Sequence, residues 1–453
     1  MKHITIEEII TAVRGEFFGD SNLLTQFISG VKIDSRKIEP DNLFVTITGD
    51  RFDGSEFARA AYDAGALAVL TDRKIEDIPY ILTDNSVKAF QRLAGYYRDL
   101  FDIPVIGITG SNGKTTTKEM TASVFSQKYN VHKTLGNLNN QTGVPQVILG
   151  IEPDTQAAVI EMGTNNFGEI ASLAEFVKPD YGIITNIGDA HIENFKTRDG
   201  TLKAKAEIIK YIKPDGALFI NGDDEYLIKL KDKFPRVYTF GFAPHNDLRV
   251  KKMTGETMSK INAEVETDKL SFELEVPAPG KHMLYNALAA AAAGLVHGIE
   301  PGQIKKGIAE YKPTGARLNI TEANGYTVIN DAYNANPTSM RVAIDVLANA
   351  PGRKVAVLGD MLELGEQSKQ FHFDLGAYAA QKGVDLVIGV GELSANTYRG
   401  AIEFGGAAKW YLSVQELEKD ILNIIKPGAT VLVKASNGMK LYGLADYIAE
   451  KRN

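Results

Sequence analysis

A chain of 453 residues exceeds one ordinary domain and, at about 150 residues per domain, predicts three. With 44% hydrophobic residues, 24% charged residues and a net charge of −7, it can fill its cores and has no general attraction for nucleic acid or an anionic membrane. The absence of cysteine excludes disulfides, thiolate metal sites and a cysteine nucleophile.

The N-terminal segment "MKHITIEEIITAVRGEFFGD" is broken by charge every few residues, so no secretory leader is expected and the cytoplasm is the expected location. The next stretch, "VKIDSRKIEPDNLFVTITGDRFDGSEFARAAYDAGALAVL", mixes short apolar runs with turns. It reads as a compact α/β unit in which "DGSEFARAAYDAGA" is a helix. "RDLFDIP" (Arg98 to Pro104) ends a helix and serves as a linker. Beyond Pro104, "PVIGITG", "AAVIEMG", "YGIITNIG" and "GALFING" are nearly continuous in apolar residues, as suits parallel strands covered on both faces. "ALAAAAAGLV" (Ala287 to Val296) is about half a membrane span and rich in small residues, so it reads as an interior helix. The pattern restarts near "YKPTGARLN" (Tyr311 to Asn319), and "RKVAVLGD", "VDLVIGVG" and "ATVLVKAS" supply strands of a third unit. The expected fold is α/β, three α/β domains in series over residues 1–101, 102–312 and 313–453. The central one holds a P-loop on a parallel sheet, and the last is Rossmann-like without a G-x-G-x-x-G turn.

"GITGSNGKTTTKEM" (Gly107 to Met120) has the glycines that let backbone N–H groups turn inward ahead of a helix N-terminus. A strict Walker A has four residues between its glycines, whereas five separate Gly107 from Gly113. The chemical part, Thr109, Gly110, Ser111, Asn112, Gly113, Lys114, Thr115 and Thr116, is complete. Lys114 is placed to reach the β- and γ-phosphates of ATP, and the Thr115 hydroxyl to ligate Mg²⁺. Glu161 ends a strand where ligands bind in such sheets and is a candidate for the same Mg²⁺. His191 follows the next strand on the same rim, where a lone histidine is by itself a surface residue. In "TLKAKAEIIKYI", Lys203 and Lys205 lie on different helix faces, and the pattern makes both solvated charges.

These motifs, in this order, resemble the Mur ligases, the ATP-dependent amide-forming enzymes of peptidoglycan synthesis. "GNLNNQTGVP", "GKHMLYNALAAAAAG", "INDAYNANPTSM" and "VLGDMLELGE" are similar to the branch that joins D-Ala-D-Ala to UDP-N-acetylmuramoyl-tripeptide. The resemblance covers essentially the whole chain and implies an acyl phosphate formed from ATP and attacked by the dipeptide amine, in a monomer. It implies catalytic roles for Lys114, His191 and Lys205, the last as a carbamylated lysine that holds a second Mg²⁺ with His191. It also implies nucleotide contacts from Asn286, Arg317 and Asp331. Ser35 and Arg36 correspond to the uridine-binding region, and Asn137, Asn139 and Asn140 to a loop that meets the muramoyl-peptide. Asp360 and Glu363 are candidates to hold the incoming ammonium, with Asn334 and Asn336 orienting the dipeptide.

The chain departs from the family pattern at Ala435-Ser436-Asn437, where Gly-Ser-Arg is frequent, at Asn319, where an acid is common, and at Ser55, where histidine is frequent. Losing that guanidinium removes a bidentate anion contact, so Asn437 is given no substrate role. The alternatives are another Mur or folylpolyglutamate-type ligase adding a single amino acid, a P-loop kinase of small molecules, and a nucleotide-dependent scaffold. Phosphate release that requires both a nucleotide-linked peptide and an amine separates the first from the other two.

Overall fold

The computed structural model describes residues 1–49, 53–313 and 315–450; position 314 and the final residues 451–453 of the expected third domain lie outside that description. Three sheets follow one another along the chain. In the first, Gly30–Lys32, Asn42–Val45, Ala68–Thr71 and Tyr80–Leu82 run parallel, and Glu16–Phe18 closes one edge antiparallel. The helix expected from Asp53 onward is split into a 3₁₀ turn, Gly54–Phe57, and an α-helix, Ala58–Asp63. The Asp53 carboxylate accepts from both the backbone and the hydroxyl of Ser55, at 3.0 and 2.7 Å, and so favours the tighter turn.

The central sheet has nine strands. Its parallel part runs, across the sheet, Leu248–Glu256, Val237–Gly241, Ala217–Asn221, Tyr181–Ile184, Val105–Thr109, Ala157–Glu161 and Val131–Lys133. The chain leaves Val105–Thr109 toward one edge and later returns to build outward from its other side. That reversal opens a crevice at the carboxyl ends of the strands. Every residue of Val105–Thr109, Ala157–Glu161 and Ala217–Asn221 is buried, which accounts for apolar sequences broken only by the last residue of each. Helices Lys114–Phe125 and Lys281–Val296 share the core of this sheet. The second needs its small residues for close approach: a Cβ on Gly294 would lie 2.8 Å from Val124. Strands Ile261–Glu266 and Ser271–Val276 extend the sheet as an antiparallel meander.

The third sheet orders Asn319–Ala323, Tyr326–Asn330, Ala429–Lys434, Arg353–Gly359, Leu386–Val390 and Ala408–Tyr411, parallel except for the first pair. It has an apolar cluster on each face. No helix among the described residues is long and apolar enough to cross a membrane.

The linker expected at Arg98 to Pro104 is a packed joint. One apolar cluster runs from Ile4 and Phe90 through Phe101 to Val105 and Ile160, uniting the first two sheets. Within it the buried Arg98 guanidinium donates to the carbonyls of Val177, Phe101 and Ile103 at 3.2, 2.7 and 3.2 Å. Arg98→Met would leave these carbonyls without a donor, so we expect a loss of about 3 kcal/mol. An unchanged urea midpoint for Arg98→Met would show that the guanidinium is not the tie.

Candidate active site

The loop after Val105–Thr109 is shaped by two glycines in left-handed backbone. Gly110 has φ +147°, and a Cβ there would lie 1.9 Å from Thr185 Oγ1; Gly113 has φ +77°, and a Cβ would lie 2.5 Å from Asn286 Oδ1. Gly113 begins helix Lys114–Phe125 with no side chain capping it, so its first N–H groups remain available to an anion. The loop is held from the next strand: Ser111 N donates to Asn186 O at 3.0 Å and Asn112 N to Asn186 Oδ1 at 2.9 Å. Thr109 is fully buried behind it, its hydroxyl without a partner.

Lys114 folds back over the loop, its ammonium 2.9 Å from Gly110 O. Burial pushes its pKa down; the Glu161 carboxylate opposes this shift and Arg317 adds to it. Thr115 Oγ1 donates to Glu161 Oε2 and Asn139 Nδ2 to Glu161 Oε1, both at 2.8 Å. Glu161 is 1% exposed. A hydroxyl and a buried carboxylate at the end of a phosphate loop are hard oxygen donors of the kind Mg²⁺ takes alongside phosphate oxygens, so these residues fit that ion. No group of three or more His, Cys, Asp or Glu among the described residues is placed to hold a metal by itself.

Lys205 overturns the reading of its helix. Lys203 is exposed, but Lys205 is 1% exposed, with its ammonium 6.0 Å from the centre of the Phe195 ring. Among the described residues no hydrogen bond or ion pair engages that ammonium. Burial, reinforced by Lys114, pushes its pKa well down. Helical spacing separated the two lysines correctly but could not tell which face would be covered. His191 is likewise more than a surface residue. It sits at φ +56°, caps the short helix Ile192–Phe195, and places Nδ1 2.5 Å from Glu363 Oε2 in the third domain.

A cleft of about 800 Å³ runs from the phosphate loop to the third domain, and Lys205 is not among the residues that line it. Lys114, Glu161, His191 and Asn139 line it on one side, and Arg317, Asp331 and Asn334 on the other. Ser111, Asn112, Gly113, Thr116, Asn137, Asn140, Asn286 and Asn336 also border it. Arg317 stacks on Tyr333 with its guanidinium 3.7 Å from the ring centre. Asp331 accepts from Lys434 Nζ at 2.5 Å and from Leu318 N at 3.1 Å. Asn286 is buried against Gly113 and accepts from Thr117 Oγ1 at 3.2 Å.

Several expected substrate residues are engaged elsewhere. Asp360 is away from the cleft: its buried carboxylate accepts from Ser394 N and Oγ at 2.7 and 2.6 Å and pins the turn before helix Ala395–Glu403. Its other oxygen accepts from Leu393 N at 3.3 Å, so both carboxylate oxygens are engaged within the third domain. Asn336 caps helix Pro337–Ala348 through Ser339 N at 2.9 Å and donates to Asn112 Oδ1 at 2.7 Å, so both ends of its amide are used within the protein. Ser35 and Arg36 lie in a 3₁₀ turn of the first domain, outside the cleft, with Arg36 paired to Asp34.

The sequence pattern did not single out His282, Tyr285 or Lys434, all of which border the cleft. Burial lowers His282 to about 4, and its Nε2 is buried without a partner. Tyr285 donates to Asp223 at 2.9 Å, and that hydrogen bond adds to burial in raising its pKa. The signal for Lys434 was its place at the end of an apolar strand.

Residues 108–294 match the Mur ligase middle domain, residues 316–437 the Mur ligase glutamate ligase domain, and residues 27–93 the Mur ligase family catalytic domain. The UDP-N-acetylmuramoyl-tripeptide–D-alanyl-D-alanine ligase of Bacillus subtilis is 39% identical over 96% of this chain and 96% of that protein. A crystal structure of MurF from Acinetobacter baumannii superposes with a TM-score of 0.94 at 31% identity, covering all of both chains. The MurF ligase of Thermotoga maritima in complex with ADP gives 0.83 at 29% identity, covering 93% of this chain and 97% of that one. With its phosphate loop, its three sheets and its near-full-length relatives in agreement, the chain belongs to the Mur ligase family.

Proposed function

We propose that this chain joins D-alanyl-D-alanine to UDP-N-acetylmuramoyl-tripeptide, using ATP, in cytoplasmic peptidoglycan precursor synthesis. The observation that carries the reading is a single cleft in which an uncapped P-loop helix, Lys114, the Thr115–Glu161 pair and Arg317 converge. The printed names of the near-full-length relatives supply the substrate pair.

The chemistry follows from charge. A carboxylate is a poor electrophile until one oxygen becomes a leaving group, so the γ-phosphoryl of ATP passes to the tripeptide carboxylate. The dipeptide amine attacks the resulting acyl phosphate; the C–N bond forms, the C–O bond to phosphate breaks, and amide, ADP and phosphate remain. Bringing phosphate and carboxylate together requires preorganised cations and N–H donors. Lys114 and the loop N–H groups supply them from the central domain, and Arg317 from the third. Thr115 and Glu161 would hold a Mg²⁺, which neutralises phosphate oxygens when bound. Lys205, whose pKa burial lowers, is suited to take up CO₂: in the neutral amine form its lone pair forms the N–C bond, one N–H proton leaves to solvent, and a carbamate anion results. That anion, together with His191, would suit the second Mg²⁺ that the family resemblance implies. Asn137, Asn140 and Asn334 remain as polar groups for the peptide substrates.

Three outcomes are expected. With equal concentrations of D-Ala-D-Ala, D-Ala and a diamino acid, mass spectrometry should find the dipeptide product almost alone, since a site built for a dipeptide leaves polar groups unpaired around a single amino acid. A preference for one amino acid would assign the chain to a different ligation. Lys114→Ala should lower kcat by roughly 10²–10³ with the fold intact; near-normal turnover would remove the phosphate role.

Lys205→Met should cost activity on the order of 10²-fold yet stabilise the protein in CO₂-free buffer. The sign follows from linkage: a lysine whose folded pKa is depressed binds fewer protons folded than unfolded, so wild-type stability rises with pH toward the ordinary lysine value. The gap between variant and wild type should therefore narrow as pH rises. A gap independent of pH would show that the ammonium carries no burial penalty.

A further inference from the structure

We propose that Glu363 is a positioning residue for His191: the third domain lends its carboxylate to the imidazole and fixes which ring nitrogen carries the proton. His191 Nδ1 and Glu363 Oε2 are 2.5 Å apart. An ionised carboxylate can only accept, so Nδ1 bears the hydrogen, and whenever the ring carries one proton the lone pair lies on Nε2. His191 borders the same cleft as Lys114 and Glu161, so Nε2 belongs to the reacting face of the molecule. A carboxylate behind a histidine is the usual device for setting its tautomer and basicity.

The backbone on both sides is arranged for this contact. His191 has φ +56° and Glu363 φ +62°, both in the left-handed region that non-glycine residues seldom adopt. Each is followed by an apolar anchor: Ile192 of the central domain packs on the apolar cluster of the third, and Leu364 is buried within that same cluster. The hydrogen bond from His191 also holds the Glu363 carboxyl below its usual range. The pair spans 172 positions of sequence, so His191 is oriented only while the two domains are together. This inference rests on the proposed ligase reading for its consequence, although the state of the ring can be measured without any turnover.

The test uses the full chain with ¹⁵N-labelled histidine and long-range ¹H–¹⁵N correlation, with His191→Gln identifying the signals of this ring. Wild type should show the Nδ1–H form. Glu363→Ala should shift the ring toward the Nε2–H form that an unconstrained histidine side chain prefers, and Glu363→Gln, whose amide oxygen still accepts, should retain Nδ1–H. In ligation assays Glu363→Ala should lower kcat by about 10–100-fold and raise the Mg²⁺ requirement, with KM for D-Ala-D-Ala within about twofold and partial recovery in Glu363→Gln. An unaltered tautomer in Glu363→Ala overturns the proposal. So does a raised KM for D-Ala-D-Ala at constant kcat, which would make Glu363 a contact for the acceptor. If the chain ligates neither substrate, the ligase reading fails while the tautomer measurement still decides the role of Glu363.

Discussion

An ammonium held out of water, with a second ammonium for its neighbour, sets the terms for the rest of this molecule. Lys205 is buried, no hydrogen bond or ion pair among the described residues engages its ammonium, and Lys114 lies close enough to depress its pKa further. A charge left so costs several kcal/mol, so burial and Lys114 both favour the neutral amine. The one buried carboxylate nearby, Glu161, is already shared between Thr115 and Asn139. Lys114 and Arg317 face this cleft from its two sides, and anions are what the proposed reaction brings: phosphates and a carboxylate. The reversal of strand order around Val105–Thr109 is what gathers these groups at one edge of the central sheet.

The two junctions between domains differ in kind. The first and central sheets share one continuous apolar cluster and a buried arginine, which makes them a single body. The third meets the central sheet through a few apolar contacts, at Leu318, Ile192 and Met258, and through polar pairs bordering the cleft, Asn112 with Asn336 and His191 with Glu363. Polar contacts that also border a binding cleft are the ones substrates can replace, so domain motion is expected at this second junction.

The parts of the site legible in sequence were those whose chemistry is local. The phosphate loop is a matter of glycines, a lysine and a hydroxyl within eight residues, and the sheet strands announced themselves through unbroken apolar runs. The strand Ile261–Glu266 was passed over, although Ile261, Ala263 and Val265 alternate as its buried face. Lys205 was not legible, because periodicity assigns a side chain to a face of its helix and is silent about what covers that face. The structural bonds of Asp360 and Asn336 were missed for another reason. Short polar side chains inside a functional motif also serve as caps, and a cap depends on whether an unsatisfied N–H lies within reach after folding. The family resemblance supplied the residue types at these positions, while the hydrogen bonds that engage them arise from contacts far away in sequence.

The ion pair of Lys434 with Asp331 shows how the third domain makes its side of the cleft firm. The two residues end adjacent parallel strands, where Asp331 N donates to Val433 O at 3.0 Å. The ammonium also donates to Asn334 O at 3.0 Å, so one buried cation fixes the course of Asp331 to Asn334. Asn336 follows at once, capping its helix while donating to Asn112 of the phosphate loop. Removing either partner of a buried pair is far more damaging than replacing both, because the survivor is left charged and unpaired. The pair therefore acts as a brace: it holds Asn334 at the cleft and keeps the Asn336 cap where it can touch the phosphate loop.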